Sequence, residues 1–262
     1  MLHVNDININ YKRYGNISGT PIVLLHGWGQ NIEMMEPIGN NLLDNDIIIF
    51  DLPGFGKSEE PKFVWTIKDY AECIHKCLEK LNVKNPIMIG HSFGGKITLM
   101  YASMYDTKKI VLLASPFKKN IEKLSLKTKM LKQAKKLPGL DKLSQFAKKH
   151  VGSTDYKNAS PMMRNILVEH VNNDITEDIK KINCSAIIIW GTNDEAVPLS
   201  DAYILESLIK DAAVIEYEGC THYAYLERLG QTINIISSFI KEWIYAYKVY
   251  CVFYNYTNLS FN

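Results

Sequence analysis

The feature that most constrains this chain is a repeated unit. A short, unbroken run of aliphatic residues stops at a turn-forming residue and is followed by a stretch of helical periodicity. Ile22-Val23-Leu24-Leu25 stops at His26-Gly27, and Ile47-Ile48-Ile49-Phe50 at Asp51-Leu52-Pro53-Gly54. Ile87-Met88-Ile89 stops at Gly90, and Ile110-Val111-Leu112-Leu113 at Ala114-Ser115-Pro116. Ala186-Ile187-Ile188-Ile189-Trp190 stops at Gly191, and Val214-Ile215-Glu216-Tyr217 near Gly219. Runs of this length without polar alternation are expected of strands buried on both faces. Between them, Thr66 and Asp69 form a capping box. Ile67, Tyr70, Ala71, Ile74, Leu78 and Leu81 then recur at helical spacing, predicting a helix over 67–81. Further helices are expected from Phe93 through Met104 and over 231–246. Strand–helix alternation of this kind implies an α/β fold, a mostly parallel sheet covered on both faces. The first residues differ: Ile7, Ile9 and Tyr11 alternate with polar residues, as in a half-exposed antiparallel hairpin strand.

The alternation lapses over 118–181, which has helical periodicity and no convincing strand. From Lys118 to Lys149 it carries eleven lysines against Glu122 and Asp141, a local charge of +9 in a chain of net +2. The rest is therefore about −7, and the lysines read as a solvated face. With 262 residues, 47% of them apolar, the chain has room for one α/β domain carrying an insert. The near-zero global charge gives no field that favours nucleic acid, and no apolar run is long enough to span a bilayer. Met1–Asp6 lacks the basic-then-apolar pattern of a secretory leader. Five cysteines without a CxxC pair are expected to be reduced thiols in a cytoplasmic protein. Cys73 and Cys77, four apart on one helix, read as small buried side chains, and no metal site is expected.

Chemistry concentrates at Gly90-His91-Ser92-Phe93-Gly94, a G-x-S-x-G pattern between an apolar run and a helix. A serine on such a turn is held in strained backbone above the sheet, which tolerates only small neighbours. Serine needs a base. His222, on the loop after the last apolar run, lies at the same carboxyl edge as Ser92, where open α/β sheets bind ligands. His3, His75 and His170 fall within strand or helix patterns and read as structural. A histidine base needs a carboxylate to hold its tautomer. Asp194, in Gly191-Thr192-Asn193-Asp194, is the candidate and Glu195 its rival. A developing oxyanion needs donors. The N–H of Phe93, first in its helix, is one. The N–H of Trp28, flanked by Gly27 and Gly29, is the other.

These residues together resemble the α/β-hydrolase superfamily, over essentially all of residues 3 to 246. The resemblance rests on His26-Gly27-Trp28-Gly29, Asp51-Leu52-Pro53-Gly54-Phe55-Gly56-Lys57-Ser58, the Gly90–Gly94 turn, Gly191–Asp194 with Val197-Pro198, and His222. It implies an eight-stranded, mostly parallel sheet flanked by helices, with a helical cap inserted after the sixth strand. The core would then be 1–117 and 182–262, and the cap 118–181. It also implies that the Asp51–Ser58 loop is structural. Ser92 argues against relatives with an aspartate nucleophile at that turn. Ser115-Pro116 stands where some members carry the acid, which favours Asp194. The expected activity is hydrolysis of a carboxylic ester or related acyl compound by Ser92, His222 and Asp194, without metal or organic cofactor. The expected partner is a small acyl substrate, with neither nucleic acid nor a membrane-spanning segment; oligomeric state is open. Carbon–carbon bond hydrolysis or thioester cleavage on the same residues, or a slow-turnover small-molecule receptor, are alternatives.

Overall fold

The computed structural model describes residues 1–119 and 159–241. Every one of the six apolar runs is a strand. In chain order the strands are β1 (Leu2–Val4), β2 (Ile7–Ile9), β3 (Tyr11–Gly15), β4 (Pro21–Leu25), β5 (Asp46–Phe50), β6 (Ile87–His91), β7 (Lys109–Leu113), β8 (Ser185–Gly191) and β9 (Ala212–Tyr217). Strands β3 to β9 form one sheet in the order β3-β5-β4-β6-β7-β8-β9. All its pairs are parallel except β3 with β5.

The expected count of eight strands is corrected here: among the described residues the sheet has seven, and β1 and β2 form a separate antiparallel hairpin. The break falls at Asn10. Its N–H donates to Ser58 Oγ at 2.8 Å and its side-chain amide to Asp51 Oδ2 at 2.7 Å, so the ladder has no donor there. Asn5 and Asp6, both at positive φ, close the hairpin tightly.

Within each central strand, successive residues serve opposite layers. Val23, Leu25, Ile48, Phe50, Met88 and Leu112 pack beneath the helices Ile67–Lys80 and Phe93–Met104. Ile22, Leu24, Ile47, Ile49, Ile89 and Leu113 face the helix Leu229–Ile240. Both faces are buried, which is why the runs carry no polar alternation. The helix expected over 67–81 ends at Lys80 with Leu81 as its cap, and the Thr66–Asp69 capping box is present in both directions. The last helix starts two residues earlier than expected; residues 242–246 lie outside the described residues.

Of segment 118–181, the described part contains the helices Pro161–Asn172 and Thr176–Ile179, and no strand. Lys118 pairs with Asp201 at 3.0 Å. The lysines from 123 to 149 lie outside the described residues, as does the aromatic end of the chain. No described helix is long and apolar enough to cross a membrane.

Candidate active site

The parallel register sets which loops meet. Strand β4 lies beside β6, with Leu25 opposite Gly90, so the loop after β4 adjoins the turn after β6. Gly94 N–H donates to His26 O at 3.1 Å and joins them directly. The glycines of the motif are there for space. A Cβ on Gly94 would stand 2.3 Å from Leu25 O, and one on Gly90 would stand 2.5 Å from Gly94 O. Between them Ser92 has φ 50° and ψ −112°, a left-handed conformation that L-residues avoid. Such strain costs on the order of 1–3 kcal/mol and persists only where the surroundings impose it. The Ser92 side chain does not cap its own helix, so the hydroxyl remains available above the sheet edge.

Asp194 and His222 come from the loops after β8 and β9, neighbouring parallel strands. His222 Nδ1 lies 2.7 Å from Asp194 Oδ2. The other carboxylate oxygen accepts the N–H groups of Ala196 at 2.7 Å and Val197 at 2.9 Å. The Asp194 side chain is fully buried, and that of His222 is 15% exposed. An acceptor-only carboxylate requires the proton on Nδ1, which leaves the Nε2 lone pair free. Glu195 is exposed. Among the described residues no hydrogen bond joins the Ser92 hydroxyl to His222. The loop bearing His222 instead reaches the neighbour of Ser92: His91 Nε2 donates to His222 O at 3.1 Å, and the two rings are 4.9 Å apart.

Neither the Phe93 nor the Trp28 amide has a hydrogen-bond acceptor among the described residues, although the amides beside them, Gly27 and Gly94, do. Gln30 holds this loop. Its Oε1 accepts from Gly27 N–H at 2.9 Å and lies 3.3 Å from His91 Nδ1. His26 accepts the Leu52 amide through Nε2 at 2.9 Å and holds Gly27 O through Nδ1 at 2.7 Å. Burial pushes His26 down to about 4. Burial and the neighbouring His222 push His91 down to about 3. Both rings are neutral braces at ordinary pH. Asp51 knits the following loop by accepting from Ile32 and Lys57 N–H, each at 2.8 Å. Gly56, at φ 55°, has no space for a Cβ against that carboxylate.

Beside these groups lies a cavity of about 270 Å3, walled by Trp28, Gly54, Phe55, Glu60, Ser160 and Met163. Trp28 is in its wall; Ser92 and His222 are not. A larger hollow of about 460 Å3, near Asn85, Lys108 and Asn183, sits at the amino ends of the strands, away from this chemistry.

Two further buried residues lie near these groups. His170, read as structural, packs edge-on against Phe93, with ring centroids 4.6 Å apart, and lies parallel to Trp28 at 6.3 Å. Its helical register with Met163 and Ile166 was the available signal. Lys96, on the helix opened by Ser92, is 1% exposed; nothing in the sequence distinguishes it. Cys220, two residues before His222, is buried and its Sγ accepts from Arg228 Nε at 3.2 Å. Cys77 is buried with its thiol against Cys73, and that contact and burial push its pKa up. Among the described residues no cluster of His, Cys, Asp or Glu could hold a metal ion.

Comparison with known proteins agrees with this fold. The family model described as the alpha/beta hydrolase fold matches residues 20–147. The chain is 26% identical to the uncharacterized hydrolase YugF of Bacillus subtilis, over 91% of this chain and 96% of that protein. It is 25% identical to Lipase 1 of Psychrobacter immobilis, over 87% and 79% respectively. The crystal structure of the enol-lactonase from Burkholderia xenovorans superposes with a TM-score of 0.74 at 19% identity, covering 92% of this chain and 99% of that one. With a parallel sheet that brings these loops to one edge, and with residues 20–147 matching that model, the chain has the α/β-hydrolase fold.

Proposed function

We propose that this protein is a serine hydrolase that cleaves a carboxylic ester or related acyl compound through an acyl-enzyme. The observation that carries the reading is the buried Asp194–His222 pair at the sheet edge where strained Ser92 projects. His222 Nε2 takes the Ser92 proton as Oγ attacks the carbonyl carbon. The oxyanion is received by the Phe93 and Trp28 amides, which have no acceptor among the described residues. His222 then delivers its proton to the leaving alcohol as the carbon–oxygen bond breaks. A water deprotonated by the same ring attacks the acyl carbon and frees Ser92. Asp194 fixes the ring and offsets its transient positive charge. No step calls for a metal or an organic cofactor.

Residues 118–181 act as a cap over the core formed by 1–117 and 182–262. The cavity against Trp28 and Met163 supports that reading, since helix Pro161–Asn172 supplies one of its walls. The free thiols of Cys73, Cys77, Cys184 and Cys220 support a reducing, cytoplasmic setting.

The test is burst release of the alcohol from an activated short-chain ester, compared with Ser92→Ala. Burst and turnover should vanish in the variant; undiminished turnover would refute the mechanism. Turnover of diketones or acyl-CoA with negligible ester cleavage would reassign the substrate class while retaining the residues.

A further inference from the structure

Lys96 presents a problem that the proposed chemistry does not solve. It lies one helical turn after Ser92, is 1% exposed, and has no ion-pair partner among the described residues. Lysines are almost never fully buried unless paired, because the ammonium loses its hydration. Burial pushes this one down to about 8, while the more distant Asp174 and Glu169 raise it. The Nζ donates to His170 O at 2.9 Å and to Asn173 O at 2.6 Å. Both carbonyls stand at the carboxyl end of helix Pro161–Asn172. Such an end carries free carbonyls and roughly half a negative charge, so it is a natural seat for a cation.

The same helix supplies a wall of the cavity beside Trp28 at its other end. Met163, Ile166 and His170 are its buried residues and form one inner stripe. Met163 lines the cavity, and a Cβ on Gly54 would stand 2.3 Å from its Sδ. His170, about two turns or ~10 Å further on, lies against Trp28 and Phe93. The mounting is unequal. At the amino end the helix is tied by Ser160 Oγ donating to Glu60 Oε2 at 2.9 Å, an exposed bond. At the carboxyl end it is tied by a buried ammonium on the helix that Ser92 opens. Exposed polar contacts contribute little, whereas buried charge-assisted bonds are strong and strict in geometry.

We infer that Lys96 is a positioning residue for substrate selection: by holding the carboxyl end of helix Pro161–Asn172 on the nucleophile's helix, it sets the distance of Met163 and His170 from Trp28 and so the size of the acyl cavity. The inference rests on the proposed hydrolase reading and deepens it. Lys96 takes no part in proton transfer. Its loss changes which acyl chain fits more than it changes the reactivity of Ser92.

The experiment compares wild type, Lys96→Met, Lys96→Gln and Lys96→Arg on p-nitrophenyl acetate, butyrate and octanoate. A fluorophosphonate reports Ser92 reactivity separately. For Lys96→Met the ratio of kcat/KM between octanoate and acetate is expected to move at least tenfold, mostly through KM. Fluorophosphonate labelling should stay within about threefold of wild type. Lys96→Arg, which keeps the charge, should restore most of the ratio. If Lys96→Met does not fold, Lys96→Gln decides by the same ratio. An unchanged ratio in a folded Lys96→Met or Lys96→Gln protein overturns the inference. So does failure of both to fold, because the lysine is then merely structural. Failure of the underlying reading looks different: Ser92→Ala would retain turnover and wild type would resist the fluorophosphonate.

Discussion

Replacing Asp194 by Asn changes one atom, and its effect follows from how both carboxylate oxygens are occupied. One accepts the Ala196 and Val197 amides, and the other faces His222 Nδ1 at 2.7 Å. An asparagine has one acceptor and one donor to place. If its oxygen keeps the two amides, its NH2 group faces Nδ1. The imidazole must then present a lone pair there and carry its proton on Nε2, where it cannot receive one from Ser92. The flipped amide keeps the right tautomer but turns NH2 against two backbone N–H groups. Leaving the part-buried Val197 donor unsatisfied costs about 1–3 kcal/mol. Even ~2 kcal/mol confines the flipped form to roughly 3% of molecules. Loss of the charge that stabilises the imidazolium reduces the rate further. Together these give a fall in kcat of about 10^3 to 10^4, or ~4–5 kcal/mol of barrier. The assay is steady-state turnover of p-nitrophenyl butyrate with matched circular dichroism spectra. If Asp194→Asn keeps more than about a tenth of wild-type kcat, the tautomer argument is wrong. Glu195→Gln, at an exposed position, should leave kcat within about twofold.

Other consequences are measurable. A Cβ at Gly191 would stand 2.2 Å from Cys220 O and 2.3 Å from Thr221 O, so Gly191→Ala must part the loops bearing Asp194 and His222. It should cost about 1–3 kcal/mol in urea unfolding and depress turnover with it; wild-type behaviour on both counts would contradict the packing. His26 and His91 stay neutral in the fold down to about 4 and about 3, while the unfolded chain takes up protons near 6.5. Their contribution is therefore complete above pH 6.5 and is lost as pH falls through that window, by about 2 kcal/mol each between pH 7 and pH 5. Urea titrations at the two pH values should register the loss; equal stabilities would refute neutral burial. Thr66→Ala removes half of a capping box that holds helix Ile67–Lys80 and should cost about 1 kcal/mol by thermal unfolding, with turnover unaffected.

Much of the fold was legible in the chain because the periodicity of apolar residues is a local property. Five of the six apolar runs are strands for the reason they look like strands, both of their faces being buried, while β9 at the sheet edge leaves Glu216 exposed. The capping box at Thr66 and the small neighbours of Ser92 likewise state local backbone needs. The chain order of Ser92, Asp194 and His222 was readable, since each follows a strand and parallel strands point their carboxyl ends one way. The number of strands in the sheet was not readable. It turned on Asn10 giving its amide to Ser58, forty-eight residues away.

The sequence by itself determined the layers and the sheet edge at which Ser92, Asp194 and His222 gather. Tertiary structure alone decided that Asp194 spends both oxygens, that His91 braces the carbonyl of His222, and that Lys96 holds the end of a helix more than seventy residues downstream. The physical reason is range. Patterning and turn chemistry act between neighbours in the chain, whereas a hydrogen bond to a distant carbonyl leaves no mark on the sequence around either partner.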